Sequence, residues 1–456
     1  MGRLTLKQAA AFCGGWVDPK YEDITFLGAN NDTRLIQPGQ LFIVLQGARD
    51  GHDFIGQAME KGAAAALCSR KVGDYPCIIV DDPRIALGDI ARAERQRIGC
   101  KVVGITGSVG KSTTKEMVAT VLESTFRTAK TPVNHNNDIG MPMAILAMPE
   151  DTEVAVLEMG MNHFREMAYL SSIAQPDIAV IVNIGSMHIE FLGSVEGIRQ
   201  AKLEILEGMK PDGKLLLNGD DTMLCRLPQK PVQTVTYFGS TENCAVRYRN
   251  VQEDSGLQFE VVSGNHTFPV ELALEGMHFA SDAMAAVAVA LELGVEPVRI
   301  QEKLYCFRNM AGRQEIYEAG GYTIISDCYN AGPESMAAAL EVLGRKEGRH
   351  VAVLGDMLEL GACTQAEHYR IGRIAAENAD MVYAFGPNAD RVAAGALTGG
   401  VAHSKIGKYT ERTPLIQELK RKAKPGDVLL FKGSRGMHME WILEEFLKND
   451  TEDMTK

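Results

Sequence analysis

The residues best suited to chemistry are gathered in Gly104-Ile105-Thr106-Gly107-Ser108-Val109-Gly110-Lys111-Ser112-Thr113-Thr114. The apolar Val102-Val103 precedes this stretch and the helix-forming run from Lys115 to Leu122 follows it, so the glycines and Lys111 sit where a strand turns into a helix N-terminus. Such a turn suits an anion. Glycines let backbone N–H groups close on phosphate oxygens, the lysine reaches the terminal phosphates, and the serine hydroxyl can hold Mg²⁺. The loop implies ATP, with Gly107, Ser108, Val109, Gly110, Lys111, Ser112 and Thr113 as its expected contacts. The full G-x-x-x-x-G-K-[ST] pattern is not met, because Ile105 stands five before Gly110. An ordinary glycine-rich turn is the competing reading, and the flanking strand and helix argue against it.

Two more groups belong to the same chemistry. Glu158 ends the apolar run in Leu157-Glu158-Met159-Gly160, and His188 follows another in Asn183-Ile184-Gly185-Ser186-Met187-His188. A carboxylate and an imidazole at neighbouring strand ends can reach a cation beside the ATP phosphates, where Mg²⁺ keeps a few protein ligands and several waters. A lone histidine there is a solvated rim residue; beside a phosphate loop the metal reading of Ser112, Glu158 and His188 moves ahead. Lys202 lies in a helical stretch, Ser194 to Leu206, with apolar residues at 195, 198, 205 and 206. Periodicity alone makes it a charge on the exposed face.

The elements that must position these groups fall into three blocks, as the length of 456 residues suggests. Residues 1–98 mix short strands, Leu41 to Leu45 and Cys77 to Val80, with a helix from Phe54 to Lys61, and end in the charged run Arg92 to Arg97. Residues 99–312 alternate strand and helix, which favours a mostly parallel sheet. Its strands Val154 to Leu157, Ile178 to Val182 and Lys214 to Leu217 end at Glu158, Asn183 and Asn218, which places those residues on the ligand rim of an open α/β sheet with Lys111. A β-rich insertion is expected from about 233 to 275, then a helix from Ala283 to Leu293. Residues 313–456 repeat the alternation, with strands ending at Asp327, Asp356 and Lys432, and read as a second doubly wound unit facing the first. The tail from Asn449 to Lys456 is expected to fray.

Composition narrows the partners. Hydrophobic content of 45% with 23% charged residues and 17 prolines describes a globular chain. A net charge of −12 argues against a general nucleic-acid or anionic-membrane binder, so a polyanionic ligand must meet a local basic site. The run from Met1 to Gln8 has no apolar core of a signal peptide and no apolar run is long enough to span a bilayer, so a cytoplasmic protein without membrane insertion is expected. Nine scattered cysteines, without a C-x-x-C pair, read as free thiols.

The motifs together are specific. Thr106 to Glu116, Asn134-His135-Asn136-Asn137-Asp138-Ile139-Gly140-Met141-Pro142, Ala201-Lys202-Leu203-Glu204, Asp327 to Met336, Val353 to Gly361 and Lys432-Gly433-Ser434-Arg435 resemble, in the right order and over almost the whole chain, the Mur ligases of peptidoglycan synthesis. The resemblance is nearest to the branch that adds D-alanyl-D-alanine (D-Ala-D-Ala) to UDP-MurNAc-tripeptide. It implies a UDP-sugar-binding N-terminal domain, a central P-loop ATPase domain and a C-terminal Rossmann-like domain that closes over the nucleotide and brings the amine, in a chain expected to be a monomer. It also implies that ATP phosphorylates the tripeptide carboxylate and that the dipeptide amine displaces phosphate. Lys111, Lys202 and His188 are the catalytic residues so implied, and Ser112, Glu158, His188 and Lys202 the metal set. Lys202 matches the family lysine that becomes a carbamate; a carbamylated lysine is an anionic oxygen ligand where an ammonium would be repelled. Arg313 matches the arginine that reaches the ATP phosphates, Asp327 the ribose contact, and Asn134, Asn136, Asn137 and Asn330 substrate positions. Asn31-Asp32-Thr33-Arg34 resembles the UDP-binding face, with Thr33 where the family usually has serine.

Departures fall on the base and the dipeptide. The family's H-N-x-x-N, at the start of its adenine-contacting helix, is His278-Phe279-Ala280-Ser281-Asp282 here, and N-A-N-P is Asn330-Ala331-Gly332-Pro333. Asp282 accordingly reads either as a weakened adenine contact or as the cap of a helix beginning near Ala283. The runner-up is the ligase that adds the third stem residue, whose C-terminal D-N-P-R has no counterpart there; Asp81-Asp82-Pro83-Arg84 lies in the N-terminal block, where it cannot serve that role. A folate polyglutamate ligase fits less well, since the first block resembles a UDP-sugar domain. From another class, a nucleotide switch or a scaffold with a dead ATP site is opposed by the missing N-K-x-D for guanine and by the presence of Lys111, Ser112, Glu158, His188 and Lys202.

Overall fold

The computed structural model describes residues 4–254 and 256–448; the tail from Asn449 to Lys456, expected to fray, lies outside the described residues, as do Met1 to Arg3. Three main sheets follow one another along the chain. A five-stranded sheet runs in the order Trp16–Val17, Cys77–Ile79, Ala65–Cys68, Leu41–Ile43, Ala29–Asn30, parallel except at its first pair. The helix Pro83–Ile98 leaves it, started by Asp82, whose carboxylate accepts from the Arg84 and Ile85 amides, with proline at the first turn and a left-handed Gly99 to end it.

The second sheet has nine strands. Thr128–Lys130, Val154–Glu158, Lys101–Thr106, Ile178–Ile181 and Lys214–Asn218 lie side by side and parallel. Their near-continuous apolar runs are what a strand covered by helices on both faces requires. Successive residues part to opposite sides: Val102, Ala155 and Leu157 join a core with Leu87, Ile90 and Ile145, whereas Val103, Ile105 and Val156 pack with Met117, Val121 and the helix His278–Glu292. The first of those cores also takes in Leu41, Leu67 and Ile78, so the N-terminal sheet and the central sheet share one apolar interior.

Two expectations are corrected. The β-rich stretch is not an insertion beside the sheet but its continuation: Thr234–Gly239 pairs parallel with Lys214–Asn218, and Val246–Glu253, Leu257–Ser263 and His266–Leu272 extend the edge. Their alternating inward side chains, Val246, Tyr248, Phe259, Val261, Phe268 and Val270, feed the same core as the long helix. That helix begins at His278, not near Ala283, so Asp282 lies inside it and caps nothing. Its alanine-rich face made the C-terminal part legible, while the first turn carries histidine, phenylalanine and serine, which are weaker helix formers.

The third sheet runs Glu315–Ala319, Tyr322–Asp327, Asp427–Lys432, Arg349–Gly355, Met381–Phe385, Ile406–Tyr409, parallel except at the first pair. Among the described residues no helix is long and apolar enough to cross a membrane.

Candidate nucleotide and ligation site

The loop from Gly107 to Gly110 joins the strand Lys101–Thr106 to the helix Lys111–Leu122, as the sequence requires. Gly110 has φ +83°, and a Cβ there would stand 2.6 Å from Asp282 Oδ1, so the position demands glycine twice over. The loop is pinned from the next strand. Ser108 and Val109 donate their amides to Asn183 Oδ1 at 3.0 and 2.9 Å, and Asn183 Nδ2 donates back to the Val109 carbonyl at 2.9 Å. Lys111 Nζ donates to the Gly107 and Ser108 carbonyls. Burial pulls its pKa below the usual lysine value, with Arg313 adding to that and the Glu158 carboxylate opposing it.

A cavity of about 820 Å³ opens above the loop, walled by all three units of the fold. Ser108 to Thr113, Asn136, Asn137, Glu158 and His188 line it from the central sheet, with Arg313, Asp327 and Asn330 opposite. Arg313 donates to Ser112 Oγ at 2.9 Å and stacks its guanidinium 3.8 Å over the Tyr329 ring. Glu334 Oε1 accepts from the Ser186 amide and hydroxyl, and Glu359 bonds His188 Nδ1, so the C-terminal unit is closed on the central one. That hydrogen bond holds the Glu359 carboxyl below the usual range.

The expected site residues divide. Asn136 donates to Glu158 Oε1 at 2.8 Å; Asn137 Oδ1 takes the Ile139 and Gly140 amides at the start of the helix Gly140–Leu146 while facing the cavity. Asn330 Oδ1 accepts from the Ala331 amide, and Asp327 pairs with Lys432. Asn134 is exposed and not part of the cavity wall. Thr33 and Arg34 also lie away from it: Thr33 donates to Gln57 at 2.7 Å, and the exposed Arg34 pairs with Asp32. Asn218 was expected on the rim; it is buried, tying the Val182 carbonyl to Ser281.

Lys202 contradicts the exposed-face reading outright. It is 2% exposed, and burial, then the nearby Lys111, drives its pKa well below the ordinary lysine value. The helical repeat alone does not show this: Val195–Leu203 packs against Glu166–Ala174 and Ile189–Leu192, and Lys202 is buried along with Gly197, Ile198 and Ala201. Sequence reasoning also missed Asn183 as the loop's anchor, Glu334 and Glu359 as contacts across the closure, and Thr114 as Asp282's partner. Asn183 had a signal, as a polar strand end; the two glutamates had none local to them.

A divalent cation was expected here, and the residues present suit Mg²⁺. Glu158 Oε2 is buried and has no hydrogen-bond partner, an oxygen donor left over beside the Ser112 hydroxyl of the phosphate loop. No cluster of three His, Cys, Asp or Glu is preformed among the described residues. His188 Nδ1 is committed to Glu359, leaving Nε2 as its free nitrogen.

Comparison with known proteins agrees with this architecture. Residues 105–290 match the Mur ligase middle domain, 312–435 the Mur ligase glutamate ligase domain, and 23–95 the Mur ligase family catalytic domain. The chain is 40% identical to the UDP-N-acetylmuramoyl-tripeptide–D-alanyl-D-alanine ligase of Bacillus subtilis (strain 168), over 98% of this chain and 99% of that one. It is 34% identical to the enzyme of the same name from Escherichia coli (strain K12), over 94% and 95%. Among solved structures, MurF from Acinetobacter baumannii superposes with a TM-score of 0.88 at 30% identity, covering 98% of this chain and all of that one. MurF ligase from Thermotoga maritima in complex with ADP gives 0.81 at 30% identity, over 94% and 99%. With a loop built for phosphate, a cavity walled by three α/β units, and relatives matched along their whole length, the chain belongs to the Mur ligase family.

Proposed function

We propose that the protein joins D-Ala-D-Ala to UDP-MurNAc-tripeptide with hydrolysis of ATP to ADP and phosphate, in the cytoplasm. The observation that carries this reading is the single cavity in which the phosphate loop, the unpartnered Glu158 oxygen and the Asn330–Glu334 segment meet. Residues 1–98 would hold the UDP-sugar, with Thr33 and Arg34 toward the uridine diphosphate; residues 99–312 would bind ATP; residues 313–456 would deliver the dipeptide, with Asn330 near it.

The chain's own groups account for the steps. Transfer of a phosphoryl group demands positioning and charge neutralisation more than covalent chemistry. Lys111 leaves the loop carbonyls for the terminal phosphates, and Arg313 approaches from the other side, reaching Ser112 across the closure. The tripeptide carboxylate takes the γ-phosphoryl group, and the dipeptide's neutral amine attacks the acyl-phosphate carbon. The tetrahedral adduct then expels phosphate and leaves an amide. Asp327, paired with Lys432, lines the cavity and would contact the ribose. Mg²⁺, held by Ser112, Glu158 and His188, would supply positive charge to the phosphate oxygens. Closure through Glu334 and Glu359 keeps water from the acyl-phosphate.

Lys202 completes the metal set as a carbamate in this reading. Its Nζ makes no hydrogen bond or ion pair among the described residues, and burial, with Lys111 nearby, lowers its pKa well below the ordinary lysine value, which favours the neutral amine. A neutral amine adds CO₂ and releases one proton, giving an anion where an ammonium would face Lys111. Purified protein supplied with ATP, Mg²⁺, UDP-MurNAc-tripeptide and D-Ala-D-Ala should release phosphate only when both substrates are present. Equal turnover with single amino acids would move it to another branch of the family.

A further inference from the structure

Asp282 is a carboxyl group in a place that disfavours its charge. It is 4% exposed, sits in the cavity wall, and lies against Gly110 of the phosphate loop. Among the described residues its one hydrogen bond comes from the Thr114 hydroxyl, 2.8 Å from Oδ1, and it has no ion pair. A triphosphate gripped by Gly110 and Lys111 would bring several more negative charges to within a few ångströms, in a site shielded from water, where like charges repel strongly. We propose that Asp282 is a proton-carrying brace of the phosphate loop: nucleotide binds with this carboxyl neutral, so that nucleotide binding is coupled to the uptake of one proton at Asp282. The inference rests on ATP being the ligand of this cavity and names a positioning residue for it.

The surroundings agree. Burial already pushes the Asp282 pKa up to about 7, while the Thr114 hydrogen bond and the Arg313 guanidinium act the other way. Of these two, Arg313 would turn to the phosphates on nucleotide binding, which would weaken the cation's support for the anion. The other facing charges are committed elsewhere. On the phosphate-loop helix, Lys111 bonds the Gly107 carbonyl, and Lys115 bonds the Thr131 carbonyl and Glu116. On Asp282's own helix, burial pushes the His278 pKa down to about 4, so it stays neutral. Lys214, on the neighbouring strand, pairs with Glu292 at the far end of that helix. The remaining elements packed against this helix carry Tyr237 on the strand Thr234–Gly239, Arg247, Tyr248, Arg249 and Glu253 on Val246–Glu253, and Arg299, Glu302, Lys303 and Tyr305 on the helix Pro297–Tyr305.

Isothermal titration with MgADP in two buffers of different ionisation enthalpy counts the protons taken up. Near pH 8 the wild-type protein should take up about one proton more per nucleotide than Asp282→Asn, and its affinity should fall about tenfold per pH unit above pH 7, while the variant's falls less steeply. Lys111 and other groups can take up protons in both proteins, so the difference isolates position 282. A purely structural brace would leave proton uptake equal in the two, and that result overturns the proposal. If Asp282→Asn does not fold, the wild-type protein still decides: MgADP affinity independent of pH from about 6 to about 9 refutes the coupling. No binding of MgADP to wild-type protein at any pH would instead refute the nucleotide reading on which the coupling rests.

Discussion

At the level of single residues, burial decides which charges do work. Lys111 is held by two loop carbonyls, so replacing it with alanine removes weak bonds from the fold but a point charge from the transferring phosphoryl group. Lys111→Ala should lower turnover by about 10²–10³-fold or more while leaving the melting temperature near wild type; near-normal ligation by the folded variant would sink the nucleotide role. Asp282 makes a prediction about stability. Its folded-state pKa of about 7 stands above the ordinary 3.8, so between those values the folded protein holds a proton that the unfolded chain has lost. Stability therefore falls as pH rises through that window, and the penalty is complete above pH 7. Asp282→Asn keeps an oxygen for Thr114 and carries no charge, so it should stabilise by on the order of 2–4 kcal/mol at pH 8 and by much less at pH 5. Melting curves at the two pH values check this, and equal shifts would contradict it. Lys202→Arg should abolish ligation, because a guanidinium cannot add CO₂ and stays cationic, and intact mass of the active protein under bicarbonate should show the carbamate. These residues differ in legibility: Lys111 announced itself through its loop, whereas the burial of Lys202 and Asp282 depends on chain far away in sequence.

Among the elements, the strand-to-helix turn matters most, and the residue that holds it belongs to the next strand. Asn183 satisfies two loop amides and one loop carbonyl, which fixes the loop before any phosphate arrives. Asn183→Ala leaves the Val109 amide and carbonyl without these partners, while the Ser108 amide keeps the Asn183 main-chain carbonyl, at a cost of about 1–3 kcal/mol. It should raise the Michaelis constant for ATP more than it lowers turnover at saturation, since the loss is in preorganisation; kinetics with ATP varied would reveal an unchanged constant if the anchor were idle. The parallel strands were readable because each is an apolar run ending in a polar residue, Glu158 and Asn183 among them. The same rule misplaced Asn218, whose polar end turns inward to Ser281. The start of the helix His278–Glu292 escaped because its first turn lacks a capping side chain and sets Ala280 among the weaker helix formers His278, Phe279 and Ser281. The edge strands looked like an insertion because alternation signals a half-covered strand without saying which sheet it joins.

For the whole molecule, what matters is that the site is assembled by closure and that the closing contacts are weak. Glu334 meets Ser186 and Glu359 meets His188 beside the cavity, while Arg345–Glu253 and Lys346–Glu275 join the same two units at a second place. These groups are partly exposed, and such pairs contribute about 0–1 kcal/mol each. Closure therefore stands near balance, and small losses should tip it. No local pattern could have foretold this, because Glu334 and Glu359 are separated from their partners by more than a hundred residues and read in isolation as solvated helix and loop charges. Glu334→Ala combined with Glu359→Ala removes the two contacts at the cavity mouth and leaves the second pair intact. Small-angle scattering of the ligand-free double variant should show a larger radius of gyration than wild type, and raising salt should move the wild type the same way, since partly exposed ion pairs are screened. The Michaelis constant for the dipeptide should rise more than that for ATP if, as proposed, the C-terminal unit delivers the dipeptide. Unchanged scattering together with an unchanged dipeptide constant would mean that the apolar packing between the units, and not these contacts, holds the site shut.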